Sequence, residues 1–477
     1  MFDLNSLLSA GVFATMLLIA ATATEAQTVP LSAMVLGETS APAVDGVADP
    51  GDLPAALPPG ADDGLLNKLA LHGQTTFTDQ GHPSFRSPYV GPNSLSPVAQ
   101  GRETWDATLF LGASLWRGAE AWIAPELDQG FGLDDTLGVA GFPSGEAYKI
   151  GRAAPYFRLP EFFLRQTVDL GGGTTRLDAA AGQLAQTVTQ NRLVVTVGKF
   201  GVTSVFDNNA YAHDPRGDFL NWTIIDAGTF DYAADAWGYS VGGTVEWYQG
   251  AWALRGGLFL LSNVPNSPYI DTRFDQFQFV WEGERRYVLG DHPGKLLVTG
   301  FLSRGRMGTY VDAITYAQAN GGPPSTALVR RYSSRPGVSL DWQQEITSDL
   351  GVFLRAGWAS GQYETYEFTD VDESVSGGLS LKGKAWGRAQ DTVGLAGVVN
   401  LASPQLISYL ADGGLGVLVG DGRLTHPGGE RIVETYYDLA ANRYFDTALD
   451  YQFVVNPAYN RDRGPVSIFA IRLHGQF

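Results

Sequence analysis

Four arginines, Arg165, Arg255, Arg355 and Arg472, and five acids, Glu161, Glu246, Glu282, Asp341 and Asp450, stand in segments where apolar residues recur at every second position. Successive side chains of a strand point to opposite faces. Arg255 therefore faces away from Trp252, Leu254 and Leu258, and Arg355 away from Val352, Leu354 and Trp358. A guanidinium presents a rigid fork of donors and a carboxylate presents only acceptors, a combination suited to a solute rich in hydroxyls. The same charges would also hydrate and cross-link the wall of any large aqueous barrel. Each residue taken alone therefore has that structural reading beside the functional one.

A second concentration of polar and aromatic residues follows Phe206. It runs Asp207-Asn208-Asn209-Ala210-Tyr211-Ala212-His213-Asp214-Pro215-Arg216 and continues through Asp218, Phe219, Asn221 and Trp222 to Asp231, Tyr232 and Asp235. Rings, amides and carboxylates in one long loop suit a constriction folded into a pore. Asp207, Asn209, Tyr211, Arg216 and Trp222 are its candidate contacts, and a structural lid over a barrel mouth is the competing reading. Calcium is a further alternative, because Asp207, Asn209, Asp214 and Asp218 carry oxygen donors, but their spacing matches no EF-hand loop. No metal and no cofactor are expected.

Nothing in the chain points to catalysis. The histidines, His72, His82, His213, His292, His426 and His474, are scattered and form no HExxH pair. A GxSxG elbow and a P-loop are both missing from the sequence. A barrel-embedded hydrolase would need a Ser/His/acid set on adjoining strands, and none is apparent. Carboxylate pairs carry no information in a chain with 50 acidic residues.

These residues require strands to position them. From Val466 to Phe477 one alternate set is Phe469, Ile471, Leu473, Gly475 and Phe477, and the other contains Arg472, His474 and Gln476. In 238–248, Tyr239, Val241, Val245 and Trp247 alternate with Ser240, Thr244 and Glu246. In 274–284, Phe277, Phe279 and Trp281 alternate with Gln276, Gln278, Glu282 and Glu284. In 338–346, Val338, Leu340, Trp342 and Ile346 alternate with Ser339, Asp341, Gln343 and Glu345. Sixteen such strands are expected, starting near residues 69, 104, 119, 156, 191, 237, 251, 274, 295, 335, 350, 374, 391, 430, 445 and 466. Short links at 117–118, 249–250, 290–294, 347–350 and 440–442 alternate with long ones near 79–103, 128–155, 202–236, 305–334, 360–373 and 401–429. The fold class this implies is all-β, a transmembrane antiparallel up-and-down barrel with tight periplasmic turns and long outer loops. Alternation cannot by itself say which face is inside. The terminal aromatic and the aromatic strand ends favour the apolar face outside, towards lipid. Ser403-Pro404 before 405–411 and Gly413-Gly414 predicts a short capped helix in an outer loop.

Composition agrees. The chain has 477 residues, 59 of them glycine, and a formal net charge of −18, which speaks against nucleic acid as a partner. A mean hydropathy of −0.06 argues against a helical membrane bundle but suits a barrel, where only every second residue need be apolar. With no cysteine, disulfides and thiolate chemistry are excluded. The apolar run Leu7 to Ala23 followed by Thr24-Glu25-Ala26 reads as a signal peptide over 1–26, although its start holds Asp3 and no cation; a single anchor is the alternative. Residues 27–64, rich in Ala, Pro, Gly and Asp, read as a disordered periplasmic leader, and 65–477 as the barrel domain.

Several segments resemble the carbohydrate-selective porins of Gram-negative outer membranes, the OprB family. They are Val197-Gly198-Lys199-Phe200 with 206–212, Phe219-Leu220-Asn221-Trp222, Asp231-Tyr232-Ala233-Ala234-Asp235, and 351–358. Tyr409-Leu410-Ala411 before Gly413-Gly414 and Asn456-Pro457-Ala458-Tyr459-Asn460 with Arg463-Gly464-Pro465 complete the set. The resemblance covers about His72 to Phe477. It implies a sixteen-stranded barrel that passes sugars such as glucose passively, through an eyelet lined by arginines and acids, and we read a monomeric or trimeric outer-membrane channel. Those eyelet roles fall on Arg165, Arg255, Arg355, Glu161 and Glu246. It also implies outer-membrane lipids and the barrel-insertion machinery as partners. A general or anion-preferring porin, and a plugged structural or adhesive surface barrel, stand as the alternatives.

Overall fold

The computed structural model describes residues 68–477; the expected signal peptide and leader lie outside the described residues. Sixteen strands follow in order. They are β1 (Leu69–His82), β2 (Gln100–Trp116), β3 (Ala119–Gly130), β4 (Arg152–Leu177), β5 (Gln186–Gly201), β6 (Tyr239–Gln249), β7 (Trp252–Leu260) and β8 (Phe277–Leu289). The second half comprises β9 (His292–Met307), β10 (Arg331–Thr347), β11 (Leu350–Ala359), β12 (Glu373–Gly383), β13 (Arg388–Leu401), β14 (Glu430–Asn442), β15 (Phe445–Val455) and β16 (Val466–Gln476). Each pairs antiparallel with its neighbours in sequence, and β1 closes on β16 from Gln74↔Gln476 to Gly81↔Phe469. Closure leaves no unpaired edge, which a strand structure in a bilayer requires.

All sixteen expected strands are present. Turns at 117–118, 250–251, 290–291, 348–349, 384–387 and 443–444 lie at one end, and the long loops at the other. Two long connections were not anticipated, 261–276 and 456–465, and neither was the projecting hairpin formed by β4 and β5. Three helices lie in the loops: α1 (Trp222–Ile225), α2 (Tyr310–Asn320) and α3 (Pro404–Ala411). The last is the helix expected from Ser403, whose hydroxyl accepts from Leu406 N–H at 3.1 Å.

The apolar rows face outwards. Trp281 is 45% exposed, whereas its neighbour Glu282 is 1% exposed. Val245, Trp247, Trp252, Leu254, Leu258, Phe279, Ile346 and Trp358 share the outward side, and Thr244, Gln278, Ser339, Asp341 and Gln343 the inward one. Tyr239 departs from its expected row. It begins β6 just after Gly238, whose φ is +96°, before the regular pleat is established. Its ring lines the interior and stands 5.6 Å from the Arg158 guanidinium.

The inward face is not polar throughout. Val280, Phe301, Phe353, Val398, Ile432, Val454 and Ile468 point inside and pack against Phe206, Phe219, Trp222, Ile224, Ile225 and Phe230 of the 202–238 loop. The hydrophobic core of this barrel thus lies where loop residues meet its inner wall. The lipid-facing rows contribute nothing to it.

Candidate pore-lining site

Inward-facing side chains of β5 to β9 form a continuous charged network. Arg255 on β7 donates from Nη1 to Glu282 Oε1 at 2.8 Å and to Glu284 Oε2 at 2.9 Å, and from Nε to Glu246 Oε2 at 3.3 Å. Register explains the grouping, since Arg255 is the cross-strand partner of both Glu246 and Glu282. Tyr248 donates its hydroxyl proton to Glu246 Oε2 at 2.6 Å. Three guanidinium groups lie over the Tyr248 ring: Arg192 at 3.9 Å, Arg255 at 5.4 Å and Arg286 at 5.7 Å. Cations gathered around one ring, with Arg255 and Arg286 paired to carboxylates, make a rigid polar wall.

The 202–238 loop joins this wall to others. Asp207 N–H donates to Glu282 Oε2 at 2.7 Å, and Lys295 Nζ donates to the Asn208 carbonyl at 2.9 Å. Asn209 Nδ2 donates to Asp341 Oδ1 at 2.7 Å and Ala210 N–H to Gln343 Oε1 at 2.9 Å. Farther on, Arg472 Nη1 donates to the carbonyls of Pro215 at 2.6 Å and Asp218 at 2.8 Å. Leu220 N–H donates to Glu434 Oε1 at 2.5 Å, and Asn221 Nδ2 to Gln452 Oε1 at 3.1 Å. One loop leaving β5 is therefore bonded to inward side chains of β8, β9 and β10 and of β14, β15 and β16. Buried backbone groups must find partners, and here wall carboxylates and amides supply them.

A cavity of about 650 Å³ lies between the loop and the short-turn end, within the usual range for ligand pockets. Of the expected residues, Arg165, Arg255, Glu161, Glu246 and Arg216 line it. Arg216 stands 3.8 Å from Asp106 and 3.6 Å from Glu146. The others are placed elsewhere. Glu282, Asp341, Arg355, Asp207 and Asn209 are bonded to one another between loop and wall. The Tyr211 ring covers Gly351, filling the space a side chain there would need. Trp222 is 3% exposed, stacked on Phe142 at 5.3 Å with Phe368 edge-on at 5.0 Å, so neither of its faces is open to a solute.

The calcium donors are also occupied. Asp218 Oδ2 accepts from His213 N–H at 3.0 Å, Asp214 Oδ1 from Arg216 N–H at 2.9 Å, and Asp207 Oδ2 from Ala227 N–H at 2.6 Å. These are backbone contacts that shape the loop. Among the described residues no three acidic or histidine side chains are placed to share an ion.

Sequence reasoning placed Glu284 in the polar row without singling it out and missed Arg192, Tyr248, Arg286 and Lys295, and all five line the cavity. The alternation that selected Arg255 would have found them. Arg192 shares the inward row of β5 with Thr196, and Arg286 continues the Glu282–Glu284 row of β8.

Comparison with known proteins agrees with this architecture. No curated protein matches the chain. Among solved structures it resembles OprB of Pseudomonas putida, with TM-score 0.65 and 14% identity over 87% of this chain and 95% of that one. Fainter likenesses are the outer membrane channel DcaP of Acinetobacter baumannii, with TM-score 0.47 and 10% identity over 86% of this chain and 97% of that one, and OccK8 (OprE) of Pseudomonas aeruginosa, with TM-score 0.43 and 8% identity over 87% and 99%. The model of the carbohydrate-selective porin, OprB family, matches residues 92–477. With a closed sixteen-strand barrel, apolar outside and charged within, the chain belongs to the OprB family of carbohydrate-selective porins, and is an outer-membrane channel rather than an enzyme.

Proposed function

We propose that the barrel passes neutral mono- and small oligosaccharides such as glucose down their gradient, and that the 202–238 loop narrows the path. The observation that carries this is the Arg255–Glu246–Glu284–Tyr248 network on the wall of a cavity beneath a loop bonded to several walls. Its donors and acceptors are already paired with one another, so a sugar hydroxyl that replaces one partner gains little. Binding then stays weak, which suits conduction, since a tightly held solute leaves slowly. Arg165, Arg255, Glu161, Glu246 and Arg216 are the proposed solute contacts. Arg355, Glu282, Asp341, Asp207, Asn209 and Tyr211 instead hold the loop, and Trp222 packs its interior. We also assign residues 1–26 to export and 27–64 to a periplasmic leader, with lipids and the barrel-insertion machinery as assembly partners.

Liposome swelling with the refolded protein tests the proposal. Glucose should enter faster than a charged solute of similar size. Equal entry would instead make the barrel a general diffusion pore. An anion preference is the second reading, favoured by Arg165, Arg192, Arg216, Arg255, Arg286 and Lys295 around one cavity. A reversal potential favouring chloride in a KCl gradient, with slow glucose entry, would select it.

A further inference from the structure

β4 has 26 residues, far more than its neighbours require. β3 begins at Ala119, paired with Gln166, and β6 ends beside Arg192, paired with Tyr248. From about residue 168 to 191 the β4–β5 ladder therefore runs beyond the short-turn rim, with no other described strand beside it. It does not run straight. The register shifts between Asp169 and Gly171 and again between Gly171 and Thr174. Gly171, Gly172 and Gly173 have φ of +89°, +87° and +91°. Three successive residues in this region are available only to glycine, and they turn the hairpin sharply.

The turn brings its tip back into the barrel. Arg165 Nη1 donates to the Gly182 carbonyl at 2.7 Å. Leu184 N–H donates to Glu120 Oε2 at 3.2 Å, and Gln186 Nε2 to Glu120 Oε1 at 2.5 Å. Arg165 and Glu120 are cross-strand partners, and Arg165 is level with Thr196 of β5, above the rim. Leu177, Ala179, Ala180, Ala181 and Gln183 consequently line the cavity. The base is tied to the rim and across its own two strands. Asp169 pairs with Arg117 at 3.1 Å, and its Oδ1 accepts from Thr189 N–H at 3.0 Å.

We propose that the 168–191 hairpin is an exit gate that sets the largest solute able to leave towards the periplasm. It pivots at Gly171–Gly173 over this tied base. A two-stranded ladder is marginal alone, and the tip is held by hydrogen bonds to charged groups that water can equally satisfy. The end of the tip, Ala179 to Ala181, is small, and Leu184 is its one apolar side chain packed against the inner cluster. The cavity thus lies between two narrowings in series, the 202–238 loop outside and the hairpin tip inside. This inference rests on the reading of the cavity as the sugar path.

The test uses the full chain in planar bilayers and liposomes. In one variant, residues 172–187 are replaced by a two-residue turn. A second carries Arg165→Cys with Ala181→Cys, measured before and after bridging by a short bismaleimide, a specific label because the chain has no other cysteine. Removing one of two narrowings in series should raise conductance and speed maltotriose entry more than glucose entry. Bridging should lower conductance relative to the same unbridged protein, a comparison independent of whether the shortened chain folds. Wild-type glucose entry with unchanged behaviour in both tests would overturn the gate alone. No sugar entry through any folded form would overturn the gate together with the sugar path.

Discussion

Arg355 of β11 holds Asp207 of the long loop twice, donating from Nη2 to its carbonyl at 3.2 Å and lying 3.6 Å from its carboxylate. The same guanidinium donates to Asp341 Oδ2 at 3.0 Å and to the Ile224 carbonyl at 2.8 Å. An arginine that faces the interior, and so reads as a pore charge, is spent on anchoring the loop. Its removal leaves two buried carboxylates and two carbonyls without their donor.

Arg355→Met should therefore loosen the loop more than it alters charge selectivity. Removing one partner of a buried ion pair costs about 3–5 kcal/mol. Thermal unfolding in detergent should start lower, and limited proteolysis should cut within 207–226. Protection equal to wild type would show that the remaining contacts suffice.

Arg192→Gln and Arg286→Gln should act in the opposite sense, changing the charge of the wall while the Arg255–Glu282 link to the loop stays in place. The reversal potential in a KCl gradient should move towards cations for each, and further for the pair. An unchanged potential would mean that ion flow bypasses the β5–β8 wall.

Trp281 and Glu282 adjoin on β8 but face lipid and interior respectively. Trp281→Arg should destabilise the barrel by about 2–4 kcal/mol if it sits near the bilayer midplane, measured by urea unfolding in lipid vesicles. Trp281→Phe should be nearly silent. A neutral Trp281→Arg would place this row away from lipid.

Phe477 lies beside Gly73 of β1, exchanging backbone hydrogen bonds at 3.0 and 3.2 Å with its ring where a Gly73 side chain would be. Phe477→Ala should lower the amount of folded protein in the outer membrane severalfold, read by heat-modifiable migration, while protein refolded in vitro still closes. Normal levels in cells would show that the ring beside Gly73 is not needed for assembly.

Much of the architecture was readable from local order. The alternation of Phe277, Phe279 and Trp281 with Gln278 and Glu282 sets strand and face, because a pleated strand has a period of two and a bilayer needs one apolar side. Alternating short and long links set the up-and-down order, and Ser403 announced its helix. The inside was less legible. Arg255 and Arg355 occupy equivalent-looking positions, yet one lines the cavity and the other is consumed by Asp207 and Ile224, which lie about 130 to 150 residues away along the chain. Trp222, read as a contact of the constriction, is enclosed by Phe142 and Phe368, and the triglycine at 171–173 gave no sign of where its hairpin would go. Period and turn chemistry act between near neighbours and are written in the chain directly. Which inward charge meets solute and which meets the loop depends on how a 37-residue connection, 202–238, crosses the closed barrel, and that is decided only when all sixteen strands are in place.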